Sequence, residues 1–321
     1  MMRISVAMGT YNGSRFLDEQ LSSISRQSRL PDELIVCDDC SRDDTVNKLQ
    51  HFAEHSSFPV RIVVNQANLG PTRNFEQAIS LCQGEIIALS DQDDIWKETR
   101  LQTTEEIFAR NPSAGLVFTD ADIIGPDSMP VGARLWSFIH FGRLQQFQLR
   151  HKNGARALLR HNLVTGATMA FRARLRDVAL PIPDIWVQDG WIALITSFFY
   201  DVVPIKEPLI QYRKHPEQKI GFTDGFRAEA TLAKTTQPSH FQDRVQQYEA
   251  AYARLLPHAK TEKQKSIIKC IAAKVRHLST RAHMPRGKIA RIPVVLREFA
   301  TMRYTLYSRG IISAVRDLLV E

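Results

Sequence analysis

The chain has 321 residues, 44% hydrophobic and 24% charged, with a formal net charge of +8, a balance that buries a core and excludes a disordered or fibrous chain. Its most apolar run, Ile192 to Ile205, is broken by Thr196, Ser197, Asp201 and Pro204, which argues against a helix crossing a bilayer about 30 Å thick. The opening MMRISVAMGTYNGSR has no long apolar stretch before a small-residue cleavage site, so a protein made and kept in the cytoplasm is expected.

Apolar, β-branched runs recur at Ile4–Met8, Glu33–Cys37, Val60–Asn65, Glu85–Ser90 and Gly115–Thr119. Between them apolar residues take helical spacing: Phe16, Gln20, Leu21 and Ile24, then Val46, Leu49 and Phe52, then Phe75, Ala78 and Ile79. Strands alternating with helices predict right-handed βαβ units and a mostly parallel sheet flanked by helices, an α/β fold. In such sheets ligands bind at the carboxyl ends of the strands. There the sequence places Gly9 to Gly13, Asp38 to Ser41, Asn65 to Arg73, Asp91 to Asp94, and Asp120 to Asp122. Polar and acidic groups thus converge on one edge of the sheet.

From Gly125 to Arg160 the periodicity fades and aromatics scatter (Trp136, Phe138, Phe141, Phe147), which suggests irregular helices and loops that could form part of a binding surface. Next come the compact segment Val164–Ala170, an apolar helix from Trp191 to Phe199, and short strands at Val202–Ile205 and Leu209–Tyr212. Beyond Gly221 the pattern is helical. The expected organisation is a catalytic domain over 1–222 and a basic helical region over 223–321.

Four cysteines, Cys37, Cys40, Cys82 and Cys270, suit a reducing compartment. Cys37 and Cys40 form a C-x-x-C, but no second ligand pair follows, so two unrelated small residues are preferred over a redox or zinc site.

The acid run Ser90-Asp91-Gln92-Asp93-Asp94 directly follows a strand. Three carboxylates in four residues repel one another unless a hard cation such as Mg²⁺ or Mn²⁺ joins them. Helix capping explains Asp94 alone. After the second strand, Asp38 or Asp39 can accept from a ribose hydroxyl or a base imide, or can close an Asx turn with Ser41. Asp189 opens an apolar helix beside Trp191. A partly desolvated carboxylate there can act as a general base and the indole can stack on a sugar ring, or the first caps the helix and the second is core. Arg213, Lys214 and His215 are candidate phosphate or metal contacts, or an ordinary basic turn.

Taken in order, the motifs Ile4 to Asn12, Val36-Cys37-Asp38-Asp39 to Thr45, Asn68-Leu69-Gly70 with Arg73-Asn74-Phe75, Gly84 to Trp96, Asp189-Gly190-Trp191, and Tyr212-Arg213-x-His215 resemble a bacterial family-2 inverting glycosyltransferase of the GT-A, Rossmann-like fold. The resemblance covers about residues 3 to 222. It implies that Thr10, Tyr11 and Asp39 hold the nucleoside of a nucleotide-diphosphate sugar donor, with Asn12 and Asp38 beside them and Arg73 near the base or phosphates. Asp91 and Asp93 are the implied D-x-D pair, Asp93 the metal ligand, with His215 approaching the metal and diphosphate. Asp189 is the implied base, Trp191 and Arg213 substrate contacts. The family usually carries an acid before the base, where this chain has Gln188. The segments from Asp189 to His215 and from Ser90 to Trp96 are similar to the rhamnosyltransferase-like branch, which implies a dTDP-rhamnose donor and a role in O-antigen, capsule or other surface polysaccharide. Two rivals are a sugar-nucleotide nucleotidyltransferase, which wants a basic phosphate loop that Gly9 to Gly13 lacks, and a non-catalytic nucleotide-sugar-binding subunit. A nicotinamide enzyme wants G-x-G-x-x-G, which is absent there.

The tail carries the charge asymmetry. From Gly221 onward there are 18 Lys and Arg against 8 Asp and Glu, while the first 220 residues hold 24 against 26. Between Lys260 and Arg316 apolar residues recur at helical spacing (Ile267-Ile268, Ile271, Val275, Leu278, then Ile292, Val295-Leu296, Phe299). Basic amphipathic helices suit the anionic inner leaflet, or a packed appendage with a solvated basic face. A lipid-linked glycan acceptor favours the first, peripheral placement. No nucleic-acid motif accompanies the charge.

Overall fold

The computed structural model describes residues 1–150, 154–216, 218 and 238–319. The elements run β1 (Ile4–Thr10), α1 (Leu17–Ser25), β2 (Glu33–Asp38), α2 (Thr45–His55), β3 (Val60–Val64), α3 (Pro71–Leu81) and β4 (Ile86–Ser90). They continue as β5 (Ile95–Trp96), α4 (Arg100–Arg110), β6 (Ala114–Ile124), β7 (Pro130–Arg134), α5 (Arg143–Arg150), α6 (Gly154–Arg160), β8 (Met169–Arg172), α7 (Gln188–Phe199) and β9 (Asp201–Arg213). Four helices of nine or more residues follow: α8 (Pro238–Leu255), α9 (Glu262–Ala282), α10 (Lys288–Ala300) and α11 (Ile311–Leu319). Two compact units emerge, Met1–Lys152 with Leu163–Ile220, and Asn153–Asn162 with Gly221–Glu321. The boundary expected at 222 lies outside the described residues.

The first unit is built on a nine-stranded sheet in the order β3-β2-β1-β4-β8-β6-β9-β5, with β7 paired to β6. Strands β1 to β4 pair in parallel, as the βαβ pattern predicts. The sheet is nevertheless mixed. β8 inserts antiparallel between β4 and β6, β7 hairpins back onto β6, and β5 runs antiparallel to β9, while β6 and β9 are parallel. The two short strands expected at 202–205 and 209–212 are one long strand, β9.

Burial explains the run-like strands. Ile4, Val6, Met8, Leu34, Val36, Ile86, Ile87 and Leu89 are fully buried, because helices cover both sheet faces. Each such side chain contributes about 1.5–3 kcal/mol of apolar transfer. The α3 face Phe75, Ala78 and Ile79 packs inward as its spacing predicts. Trp136 and Phe141, within the segment that lost its periodicity, are core with Phe118, ring centroids 4.6 to 5.7 Å apart. Phe138 and Phe147 are exposed.

The second unit is helical. Helix α9 opens with a reciprocal cap, the Thr261 hydroxyl accepting from Gln264 N–H while the Gln264 side chain accepts from Thr261 N–H, which satisfies two otherwise orphaned donors. A polar network fixes its core: His277 bridges Glu298 and Ser308 at 2.8 and 2.9 Å, and Arg281 grips Asp317 through two bonds of 2.7 Å. Among the described residues no helix is long and apolar enough to cross a membrane.

Candidate active site

A cleft of about 460 Å³ opens at the carboxyl ends of the central strands, bordered by the loops after β1, β2 and β4, the start of α7 and the end of β9. Each border is fixed by backbone-directed side chains. Thr10, the last residue of β1, donates its hydroxyl to Asp38 at 2.7 Å. Asp38 also accepts from Ser41 N–H and hydroxyl at 2.8 and 2.6 Å, so it is fully buried and does not border the cleft. It is the turn-former of the two acids. Asn12 sits at φ 47°, a left-handed position that asparagine tolerates, and its Oδ1 accepts from Arg42 N–H at 2.8 Å. Asp39 borders the cleft and accepts from Leu69 N–H, Gly70 N–H and the Asn65 amide at 2.6, 2.9 and 3.2 Å. It therefore ties the loop after β3 to the cleft wall.

After β4, Gln92 holds the backbone of Tyr11 through a two-way amide pair, accepting from Tyr11 N–H at 2.8 Å and donating to Tyr11 O at 3.1 Å. Gly13 lies under it: a Cβ there would stand 2.2 Å from Gln92 Oε1. On either side of Gln92 the acids gather. Asp91, Asp93 and Asp94 place one carboxylate oxygen each within 4.8 Å of the others. Asp94 Oδ1 accepts from Arg213 N–H at 3.0 Å, but its Oδ2 is buried with no hydrogen-bond partner among the described residues. Burial, then Asp93, then Asp189 push the Asp91 carboxyl up to about 7. Burial and the same cluster carry Asp94 well above the usual carboxylate range.

A fixed cation nearby is Arg100, buried at the head of α4. It donates to Leu89 O and Ala167 O at 3.0 and 2.7 Å and lies 3.6 Å over the Trp96 ring, and burial pulls its guanidinium down to about 9. Three crowded carboxylates, one with an orphaned oxygen, form an all-oxygen set that fits a divalent cation such as Mg²⁺ or Mn²⁺. His215 joins them, its Nε2 2.9 Å from Asp93 Oδ2 and its ring 4.8 Å from Phe16.

Asp189 borders the cleft from the first turn of α7. Its carboxylate accepts from Gly166 N–H at 3.2 Å and from Gly190 N–H. Gln188, where the family usually has an acid, is buried beside it and accepts from the Thr72 hydroxyl at 3.4 Å.

Three expected contacts stand elsewhere. Trp191 is fully buried, its indole donating to Ala179 O at 2.6 Å and packing on Trp186 at 5.6 Å: it is core. Arg73 pairs with Glu76 and Asp184 at 2.8 and 2.6 Å, away from the cleft. Arg213 is buried, donating to Asp93 O, Gly125 O, the Ser128 hydroxyl and Glu19 at 2.7, 3.3, 2.8 and 3.0 Å. It braces the acid loop from behind and is not among the residues that line the cleft. Asp120 and Asp122 also miss the cleft because β6 extends through them. Asp120 accepts from Ala121 and Trp136 N–H and Asp122 pairs with Lys97 and Arg134.

Sequence reasoning missed Gln92, Gly13 and Arg100. Gln92 had a legible signal, its place between the two acids; Arg100 had none.

Residues 5–179 match the family described as glycosyl transferase family 2. An uncharacterised glycosyltransferase of Nostoc is 26% identical over 67% of this chain and 65% of its own length, so this chain spans about two thirds of that relative. TuaG of Bacillus subtilis, named for teichuronic acid biosynthesis, is 30% identical over 65% of this chain and 78% of its own. Among solved structures, S. aureus TarS in complex with UDP-GlcNAc superposes over 99% of this chain and 82% of its own with a TM-score of 0.59 at 14% identity. The mannosyltransferase PcManGT of Pyrobaculum calidifontis with GDP-Man and Mn²⁺ does so over 99% and 87%, with a TM-score of 0.53 at 19% identity. These likenesses carry the fold, and the profile over more than half of the chain carries the family: the chain belongs to glycosyl transferase family 2.

Proposed function

We propose that the cleft transfers a sugar from a nucleotide-diphosphate donor to an acceptor hydroxyl with inversion of the anomeric centre. The observation that carries this reading is the meeting of Asp91, Asp93, His215 and Asp189 in one cleft, a metal-fitting acid set and a separately held carboxylate. Thr10, Tyr11, Asn12 and Asp39 form the wall suited to a nucleoside, where Asp39, already accepting three bonds, keeps one acceptor site on Oδ2 for a ribose or base donor. Asp93, Asp91 and Asp94 would hold the divalent ion, which when bound neutralises charge on the leaving diphosphate. Asp189 has its orientation set by two backbone N–H groups and accepts the proton of the acceptor hydroxyl as its oxygen attacks the face opposite the leaving group. One displacement, with no covalent glycosyl-enzyme, inverts the centre. Tyr212 borders the same space, and burial together with the field of the acids raises its phenol well above the ordinary value, so it serves as a hydrogen-bond donor there.

The finer assignment, a dTDP-rhamnose donor and a growing, lipid-linked surface polysaccharide as acceptor, rests on the rhamnosyltransferase-like segments. TuaG, named for teichuronic acid biosynthesis, agrees with a glycan acceptor, and RfbV of Salmonella typhimurium, named an abequosyltransferase and 35% identical over 29% of this chain, agrees with transfer of a sugar. The test is Asp189→Asn. Donor binding should persist while turnover falls by about a thousandfold, the range spanned by loss of a general base. Retained turnover would remove Asp189 from the role.

A further inference from the structure

Helix α10 is amphipathic in an unusual sense, for its apolar stripe faces solvent. Ile289, Ile292, Leu296 and Phe299, at helical spacing, are 83%, 45%, 63% and 44% exposed, while Arg291 and Glu298 on the opposite side are buried. Helix α11, which packs against α10, repeats the arrangement with Ile311 and Ile312 65% and 59% exposed and Asp317 buried. Of the twenty-one exposed large hydrophobic side chains among the described residues, ten fall between Ile289 and Leu319. Scattered exposed apolar residues need no explanation, whereas a concentration on two adjoining helices marks an interaction surface.

The charges around it decide the occupant. Both acids of the segment are consumed inside the unit, Glu298 by His277 and Arg303 and Asp317 by Arg281 and the Tyr304 hydroxyl. Arg286, Lys288, Arg297 and Arg309 are exposed. An aliphatic stripe whose exposed charges, among the described residues of this segment, are all cations matches the interfacial region of a bilayer that carries anionic lipid: apolar side chains enter the acyl boundary and the long basic side chains reach phosphates. A second copy of the chain fits worse, since a two-fold pairing of this face sets the same cations against one another with no exposed acid of the segment to answer them.

We propose that α10, with α11 beside it, is a monotopic docking surface for an anionic membrane. This does not rest on the reading of the cleft. The test is sedimentation of the full chain with vesicles of phosphatidylcholine alone and of phosphatidylcholine mixed with phosphatidylglycerol, at low and high salt. The chain should sediment with the mixed vesicles and be released by salt. The double variant Ile292→Glu and Leu296→Glu, at exposed positions, should lower the bound fraction about tenfold or more while its circular dichroism and donor binding match wild type. Lys288→Glu with Arg297→Glu should remove the preference for the mixed vesicles. Wild-type chain left in the supernatant, or apolar-face variants that bind as wild type does, would overturn the proposal. So would a dimer in light scattering that Leu296→Glu disperses in a chain that ignores vesicles, which assigns the face to a second copy.

Discussion

Arg213→Met isolates the brace behind the acid loop. The guanidinium is fully buried and makes four hydrogen bonds, two of them to the backbone carbonyls of Asp93 and Gly125. Methionine keeps the apolar stem and leaves both carbonyls without this donor, at about 1–3 kcal/mol each. Glu19 is 46% exposed and turns to water, so its loss adds little. With part of the cost returned by the buried thioether, the first unit should lose about 2–4 kcal/mol, or roughly 5–15 °C in melting temperature for a domain of this size. The carbonyl released belongs to Asp93, so Mn²⁺ affinity should fall about tenfold, one of the bonds to a charged donor at 1.5–3 kcal/mol. Calorimetric melting and metal titration read the two effects separately. The control is Glu19→Gln, which removes only the exposed partner and should cost under about 1 kcal/mol. The reasoning is refuted if Glu19→Gln costs as much as Arg213→Met, or if Arg213→Met melts early yet binds Mn²⁺ as wild type does.

Three further outcomes follow from the same geometry. Gly13→Ala puts a Cβ 2.2 Å from Gln92 Oε1 and drives the flexible amide off the Tyr11 backbone; two lost bonds near 1 kcal/mol each should lower the melting temperature by roughly 4–8 °C and, by freeing the loop of the cleft wall, weaken donor binding roughly tenfold, measured by calorimetry and donor titration. Trp191→Phe should cost about 1–2 kcal/mol by losing the bond to Ala179 O and some core volume, and acceptor KM should not move; a raised KM at unchanged stability would restore the sugar-stacking role. In the second unit, burial and then Arg244 and Arg281 hold Lys274 well below its ordinary value, and burial lowers His277. Both groups bind fewer protons folded than unfolded, so stability rises with pH from their folded to their unfolded values and is lost on acidification, with a slope of up to about 1.4 kcal/mol per pH unit per group. Hydrogen exchange of the α9 amides should show the lysine part of this rise as pH climbs towards the ordinary lysine value of about 10.4, and Lys274→Met should flatten it; parallel slopes in the two proteins would contradict the account.

What the sequence revealed and what it hid divide along a physical line. The acid loop was legible because a β-branched run ending in three carboxylates is a local fact: strand, edge and charge sit within ten residues. The roles of Arg213 and Trp191 were not, since their burial is set by residues 19, 93, 125, 128 and 179, remote in the chain. Asp38 and Asp39 look alike in sequence, and they are separated by their partners, Thr10 and Ser41 closing on Asp38 and the remote Asn65, Leu69 and Gly70 on Asp39. The antiparallel β8 escaped because a short strand's direction depends on its connection, which here passes through a segment without periodicity. The helices of the tail teach the same lesson differently. Spacing identifies an apolar stripe on both α9 and α10, but it does not say which way the stripe turns. Ile271 and Leu278 face the core, whereas Ile292 and Leu296 face solvent.

The central claim is that the acid set of Asp91, Asp93 and Asp94 holds a divalent ion on which donor binding depends. Its most direct test is calorimetric binding of a panel of nucleotide sugars, dTDP-rhamnose among them, to wild type and to Asp93→Ala, with and without Mn²⁺ or Mg²⁺. The account predicts that one donor binds only when metal is present, and that Asp93→Ala, folded as wild type by circular dichroism, loses that binding. Donor binding that ignores metal, or that survives Asp93→Ala unchanged, would contradict it.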